Sequence, residues 1–418
     1  MGSRAIKVDK AAALCGMIWF VFIIDACFTW FFPVIFRNAV GSFFVFYATV
    51  ILFQNQGLRF STTKVAIAIS LILLMLWLIV SRIGFYKIAY TFFEFAPFLC
   101  VIFWRDSALL KFYHYFRKFV IFYAVISLFV EILVLTHVWI HLPHLVFPPQ
   151  DQVQENAGTI NYFYGLFCIP TEDTSLTFYR ACGPLREGGH FVFFIGFVYF
   201  MDRVLYRKIN IPLIICGLLT LSPNIVAILL LTEGYIAVID KNVIKPVLGL
   251  VASIGLVVAL YIFSPQSIKD EITHVVLERS LEASLEGVDS EGFISILDGR
   301  VEMEGKMTYD EFLKAGIREK MLGVKDLDPS FIMSDFRWLF LYCGYVGSIL
   351  FLLCTILIAF QKERSFFSFC ILVLALLVSL QRVWMFLQPY IWTMMLLCTT
   401  AKRRLKKKKI HYARVLKK

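Results

Sequence analysis

Residues 65–81 read VAIAISLILLMLWLIVS, a run without a single charge, closed by Lys64 on one side and Arg82 on the other. At ~1.5 Å per residue a helix of this length nearly crosses the ~30 Å hydrocarbon core of a bilayer. Similar runs follow one another along the chain, at 11–33, 38–54, 85–103, 119–142, 189–202, 209–221, 223–240, 246–263, 338–360, 366–380 and 383–400. With 65–81 they make about twelve spans, of which 189–202, 209–221 and 366–380 are short enough to be tilted or re-entrant. Of the 418 residues 59% are hydrophobic, 17% aromatic and only 17% charged, too little charge to cover a soluble surface of this size. The expectation is an all-α polytopic membrane protein. A soluble enzyme is excluded, and so is a β-barrel, whose strands are shorter and alternate in polarity.

The formal charge is +11, from 41 Lys+Arg against 30 Asp+Glu, and its placement speaks against nucleic acid. Ten of the 41 basic residues lie in 402–418, behind the last apolar run, where they suit anionic lipid headgroups. With the N-terminus (Arg4, Lys7, Lys10) inside, 26 Lys+Arg fall on the inner side and 15 on the outer, 9 of those in one long loop. Twelve spans return the basic tail to the inside, so span count and charge bias agree on both termini being cytoplasmic. The first run is long, lacks a small-residue cleavage site and contains Asp25, unlike a cleaved signal peptide. Ile6 stands where a myristoylation signal needs a hydroxyl residue.

The chain therefore reads as a single membrane-embedded domain, 1–418, with outer loops at 143–188 and 264–337 and a basic tail at 402–418. The first loop opens with Pro143, Pro148 and Pro149. The second carries 16 Asp+Glu against 9 Lys+Arg and reads as water-facing. Capping-box pairs Ser267/Asp270 and Thr308/Glu311 predict helices near 268–286 and 308–322. Leu277, Leu281 and Leu285 line the first of these, and Phe312, Leu313, Ile317 and Met321 line the second. Ten cysteines are scattered, and Cys168 and Cys182 share the first outer loop, where a bridge is one alternative and two thiols the other.

The densest polar constellation is Arg180, Arg186, Glu187 and His190, at the outer mouth of the sixth span. Arginine forks suit phosphate or pyrophosphate, and the amides of Gly188 and Gly189 could face an anion. An interfacial Arg–Glu pair that sets a helix end is the plainer alternative. Ser222-Pro223-Asn224 interrupts an apolar run, as a turn or as the lining of a pocket. Arg300 sits in a Gly-flanked turn, Arg318 on the expected 308–322 helix, and Arg337 opens the tenth span two residues after Asp335. Asp335 is a partner for Arg337, a base at the membrane mouth, or an ordinary helix-start acid. Asp25, Glu94 and Glu131 are costly acids within apolar runs, with no spacing that links them into a proton path. His137, His141 and His144 share a helical face, yet no further ligand completes a zinc set and no metal or cofactor is expected.

Arg180-x-x-Gly183-x-x-x-Glu187-x-Gly189-x-Phe191 resembles the signature of the bacterial O-antigen and capsular polysaccharide polymerases, in the O-antigen ligase/polymerase superfamily. Gly188 stands where the family has Pro, and Pro184 where a hydrophobic residue is commoner. Leu219-Thr220-Leu221-Ser222 resembles the family's Leu-Thr-x-Ser element. Leu322-Gly323, Asp335, Gly344 and Gly347 resemble its third element, after the long loop. The resemblance covers 160–355 by motif and the whole chain by topology. It implies a GT-C-like, inverting, metal-independent glycosyltransferase of the bacterial inner membrane. Such an enzyme moves a growing glycan from undecaprenyl pyrophosphate to the non-reducing end of a lipid-linked repeat unit.

By that resemblance Arg180, Arg186 and Arg318 hold the pyrophosphate, with Gly188, Gly189, Asn224, Arg300 and Arg337 as further binding candidates. Glu187, then Asp335, then His190 are the candidate bases. Implied partners are the lipid-linked oligosaccharide, membrane lipid, a chain-length regulator and a flippase. The ligase sibling, which delivers finished glycan to lipid or protein, places a His where Ser334-Asp335 stand here; His274 keeps that alternative open. A flippase or transporter is the third reading, and a non-catalytic assembly protein the fourth.

Overall fold

The computed structural model describes residues 3–55, 57–81, 85–148, 160–171, 179, 181–185, 188–222, 224–241, 269, 303–324, 336–361, 364–381 and 388–415. The helices are α1 (Ser3–Ile23), α2 (Val34–Gln54), α3 (Thr62–Ser81), α4 (Phe85–Ile102), α5 (Asp106–Leu135), α6 (Gly188–Met201), α7 (Ile211–Leu219) and α8 (Asn224–Asp240). After them come α9 (Met303–Lys314), α10 (Ile317–Leu322), α11 (Arg337–Phe360), α12 (Phe366–Gln381) and α13 (Pro389–Val415). Strands β1 (Leu145–Phe147), β2 (Ile160–Phe163) and β3 (Cys168–Thr171) lie between α5 and α6. Among the described residues five helices are long and apolar enough to cross a membrane: α2, α3, α5, α6 with its extension to Tyr206, and α11. The chain is a multi-pass, mostly helical membrane protein. The expected span at 246–263 lies outside the described residues, and so does the expected helix at 268–286 apart from Lys269, which is helical.

Two compact units divide the chain: 1–25, 29–118 and 307–418 form one, and 26–28 with 119–306 the other. In the first unit, buried cations tie helix ends together. Arg105 pairs with Asp9 of α1 and donates to the Ala5 carbonyl at 3.0 Å, while Lys111 reaches the Ile6 carbonyl at 2.7 Å. Lys64, only 3% exposed, donates to the Trp104 carbonyl at 2.8 Å, and the Trp104 indole donates to Thr49 at 2.9 Å. Residues 57–59 are zipped to 103–105 through Arg59 N–H to Phe103 O and Arg105 N–H to Gly57 O. Deeper in, Trp392 of α13 packs on Phe95, Phe98 and Phe351 and donates its indole N–H to Thr355.

The run 11–33 is not one span. α1 stops at Ile23, and Asp25 adopts a left-handed backbone (φ 55°), which a short polar side chain tolerates better than most. Its carboxylate pairs with Arg37, which also donates to Thr29, and its carbonyl accepts the Trp30 indole N–H at 3.1 Å. Asp25 is thus a break-point acid with a cation, not a lone charge inside a span.

The second unit is built on α6, all of whose residues from Gly188 to Met201 are buried, as an all-round apolar helix requires. Gly196 lets α8 approach: a Cβ there would lie 2.6 Å from the Ile228 side chain. Past Met201 the helix widens into a π-helical turn, Asp202–Tyr206.

The all-α expectation needs correction here. Residues 145–171 contain an antiparallel sheet of order β1-β2-β3, with Leu145 opposite Phe163 and Phe163 opposite Cys168. The strands are three or four residues long and rich in aliphatic and aromatic side chains; Gly165 (φ 86°) makes the β2–β3 turn. Two further corrections follow from local breaks. The second loop helix begins at Met303, so Thr308 lies inside it rather than capping it, and the helix stops before Gly316. The stripe loses its phase there: Phe312 is 2% exposed, but Ile317 is 77% and Met321 40%. α5 ends at Leu135 and His137 turns left-handed (φ 54°), so the three histidines do not share a helical face. Among the described residues no group of three or more His, Cys, Asp or Glu could hold a metal ion.

Removing Asp9 leaves the buried Arg105 guanidinium without its carboxylate, and breaking a buried pair costs about 3 kcal/mol. Asp9→Ala is expected to lower the detergent-solubilised melting temperature clearly. Lys10→Ala, at an exposed position, is expected to change it little.

Candidate functional site

In the second unit, the segment before α6 is held from three sides. The first is α5, whose Glu131 is 7% exposed and accepts the Tyr179 backbone N–H at 3.1 Å. The second is the sheet. The Tyr179 phenol, itself 1% exposed, donates to the Cys168 carbonyl at 3.5 Å and accepts the Cys182 N–H at 3.3 Å. Burial pushes this phenol well above its ordinary pKa and does the same to the Cys168 thiol, so both stay protonated. The third side is the end of α7, where Leu219 O accepts the Ala181 N–H at 3.0 Å.

Glycines allow this closeness. Gly183 has φ 60° in the turn closed by Leu185 N–H to Cys182 O, and a Cβ on it would strike the Phe191 ring. A Cβ on Gly188 would lie 2.9 Å from the carbonyl oxygens of both Ala181 and Thr220. The 180–191 and 219–222 elements, apart in sequence, therefore meet backbone to backbone. Thr220 shapes the second element by donating to Gly217 O at 2.6 Å and accepting the Ser222 N–H at 3.3 Å.

Of the candidates named from sequence in this unit, Gly188, Gly189 and His190 form the buried first turn of α6, and Asn224 opens α8 at 4% exposure. Arg180, Arg186, Glu187 and Arg300 lie outside the described residues. Cys168 and Cys182 are buried thiols, not a disulfide.

The first unit holds the third element. α11 is two helices in one: Gly344 (φ 64°, ψ −175°) breaks it after Cys343. The C-terminal end of α10 packs its backbone into that break, with Gly323 (φ 86°) so close that a Cβ would lie 2.7 Å from Leu341 O and 2.9 Å from Gly344 N. The carbonyls the break releases are taken up locally: Leu341 O accepts Val324 N–H at 2.8 Å and Cys343 O accepts the Trp77 indole at 3.0 Å. Gly347 leaves room for Cys343 and Trp77. Arg337, 8% exposed, stands 6.0 Å over the Tyr309 ring, whereas Arg318 is exposed on α10. Asp335 lies outside the described residues.

In the second unit, sequence reasoning passed over a buried ionic group. Glu233 of α8 receives both Arg203 donors, at 2.7 and 2.6 Å, and the Tyr199 hydroxyl at 3.0 Å. A carboxylate with this many donors is a fastener between α6 and α8, not a base. Its only sequence signal is an acid inside the apolar run 223–240, with an arginine at the end of another run. Glu131 was seen only as a costly acid; its partner is a backbone amide, which no sequence pattern reveals.

No family model matches the chain, and neither a curated protein nor a solved structure does.

Gly344→Ala would place a Cβ against the backbone of Met321 and Gly323 at a left-handed position, at a cost of about 2 kcal/mol or more. The expected result is a lower melting temperature and loss of the α10–α11 contact, read as faster amide exchange at Val324. Cys168 is expected to resist maleimide at pH 8 in the folded protein and to react after denaturation; rapid labelling of the native state would contradict its burial.

Proposed function

We propose that the chain is a lipid-dependent membrane glycosyltransferase that polymerises oligosaccharide repeat units carried on undecaprenyl pyrophosphate. The observation that carries this reading is the backbone junction of the 180–191 segment with Leu219–Ser222. Two segments chosen for their resemblance to one enzyme family are neighbours in space, and a site assembled from both needs that.

In this reading Arg180 and Arg186 bind the pyrophosphate and stabilise the charge that develops on the leaving group, the part a divalent cation plays in other transferases. Glu187 accepts the acceptor hydroxyl's proton, with Asp335 and His190 as second and third candidates. Glu131 holds the Tyr179 amide and so positions the backbone next to Arg180. Apolar helices give the polyprenyl tail its groove. The work is placed in the bacterial inner membrane with both termini cytoplasmic and the two long loops outside. A chain-length regulator and a flippase are the partners such a polymerase would need.

Protein in nanodiscs, given the host's undecaprenyl pyrophosphate-linked repeat unit, is expected to yield a ladder spaced by one unit and unchanged by chelator. Arg186→Ala is expected to abolish it without unfolding the protein. One transfer onto an added lipid or protein acceptor would indicate the ligase reaction. No product from folded protein with authentic substrate would leave transport or a scaffolding role as the reading. Glu131→Gln keeps an acceptor for the Tyr179 amide and is expected to retain most activity, while Glu131→Ala is expected to lower it at least tenfold.

A further inference from the structure

The corner between α9 and α10 keeps its apolar side chains outside. Leu313 is 44%, Ile317 77% and Met321 40% exposed, and a Cβ added to Gly316 between them would meet nothing within 4 Å. Ile317 and Met321 are one turn apart and share a face of α10. At about 3.6 residues per turn, Arg318 and Lys320 flank that face on its two sides and Glu319 stands opposite. An apolar face with basic residues beside it and an acid behind it is the pattern of a helix lying in a membrane interface.

The packing of α10 sets its depth, within the first unit. Its C-terminal end docks at the Gly344 break of α11, and Phe312, near the end of α9, meets Tyr345 edge-on at 5.7 Å. Both ends of the 312–323 segment are therefore held at one level of α11. The same level is marked on α3, where Trp77 reaches Cys343 O. Leu76 next to it and Val80, about 4.5 Å farther along, are 54% and 62% exposed on a helix long and apolar enough to cross the membrane. At the depth of the break α3 thus turns side chains to hydrocarbon. On α11 every residue from Arg337 to Ser348 is buried or half-buried, and the exposed aliphatic side begins at Ile349. Around Gly344 it is α10 that lies against α11, and the apolar face of α10 is turned away from it.

The geometry points to the α9–α10 corner as an element seated in the membrane interface. Leu313, Ile317 and Met321 lie against acyl chains, and Lys314, Arg318 and Lys320 reach lipid phosphates. Lysine and arginine stems run along apolar surface while their charged ends stay in the polar layer. The corner goes no deeper, because the first N–H groups of α10 need headgroups or water and Gly316 has no side chain to cap them. The partner is thus lipid, although the acidic composition of 264–337 reads as water-facing. The inference rests on α3 and α11 being spans, and on no particular orientation or activity.

The test is site-specific quenching in the full-length protein, in nanodiscs of phosphatidylcholine with phosphatidylglycerol. Ile317→Cys and, independently, Met321→Cys are labelled with an environment-sensitive fluorophore, with the wild-type chain treated identically as blank. Glu319→Cys, exposed on the opposite face of α10, is the control within the same helix, and Leu73→Cys, exposed on α3, is the hydrocarbon reference. The expected result is quenching by a shallow nitroxide lipid at 317 and 321 at least twofold stronger than at 319, with iodide quenching in the reverse order. Equal iodide quenching at all three positions with no response to nitroxide lipid would overturn the inference and place the corner in water. Protection of 317 and 321 from both quenchers would overturn it in favour of cover by protein, a second copy or another segment of this chain. A failure of Leu73→Cys to respond to nitroxide lipid would remove the depth scale and the inference with it.

Discussion

A backbone N–H or C=O left without a partner in hydrocarbon costs several kcal/mol, so every place where a helix stops inside this protein has to bring its own donors and acceptors. The first unit answers with long side chains. Lys64 reaches the Trp104 carbonyl, Arg105 the Ala5 carbonyl, and Trp30 the carbonyl of Asp25 where α1 ends. At the Gly344 break the indole of Trp77 and the amide of Val324 do the same. In the second unit Glu131 takes up the Tyr179 amide, and Leu219 takes up that of Ala181. Cations and indoles inside an apolar chain are explained first by this demand.

Glycines set where such breaks can be filled by another piece of backbone rather than by a side chain. Gly188 against Ala181 and Thr220, and Gly323 against Gly344, are both crossings at which one extra carbon would push two main chains apart. The first crossing joins two elements that the sequence resemblance had singled out separately; the second lies within its third element.

The helices were legible because hydropathy sums over many residues, and an apolar run such as 65–81 survives any local irregularity. What failed was local. Asp25 ended a helix inside an apolar run, Gly316 reset the phase of a stripe, and three strands of three or four residues were too short to show alternation. The candidate site was legible in part: 180–191 and 219–222 could each be singled out from patterns of Gly, Thr and Ser, but the meeting of their backbones could not. Glu131 and Glu233 were not, since one bonds to a backbone amide and the other to an arginine thirty residues away in sequence.

α6 has one more consequence. Its fourteen α-helical residues rise about 21 Å, less than the thickness of a bilayer's apolar core, and not one of them is exposed. A helix in contact with lipid at that length would thin or tilt its surroundings; a helix enclosed by protein need not match the bilayer at all. Enclosure, however, comes only after its neighbours, α7 and α8 among them, are in place, while the segment itself leaves the ribosome apolar on every side. Assembly of this unit is therefore a two-stage process, in which α6 first dissolves in lipid and then exchanges that lipid for neighbours. The small side chains at Gly196 and Gly217 decide how completely the exchange proceeds.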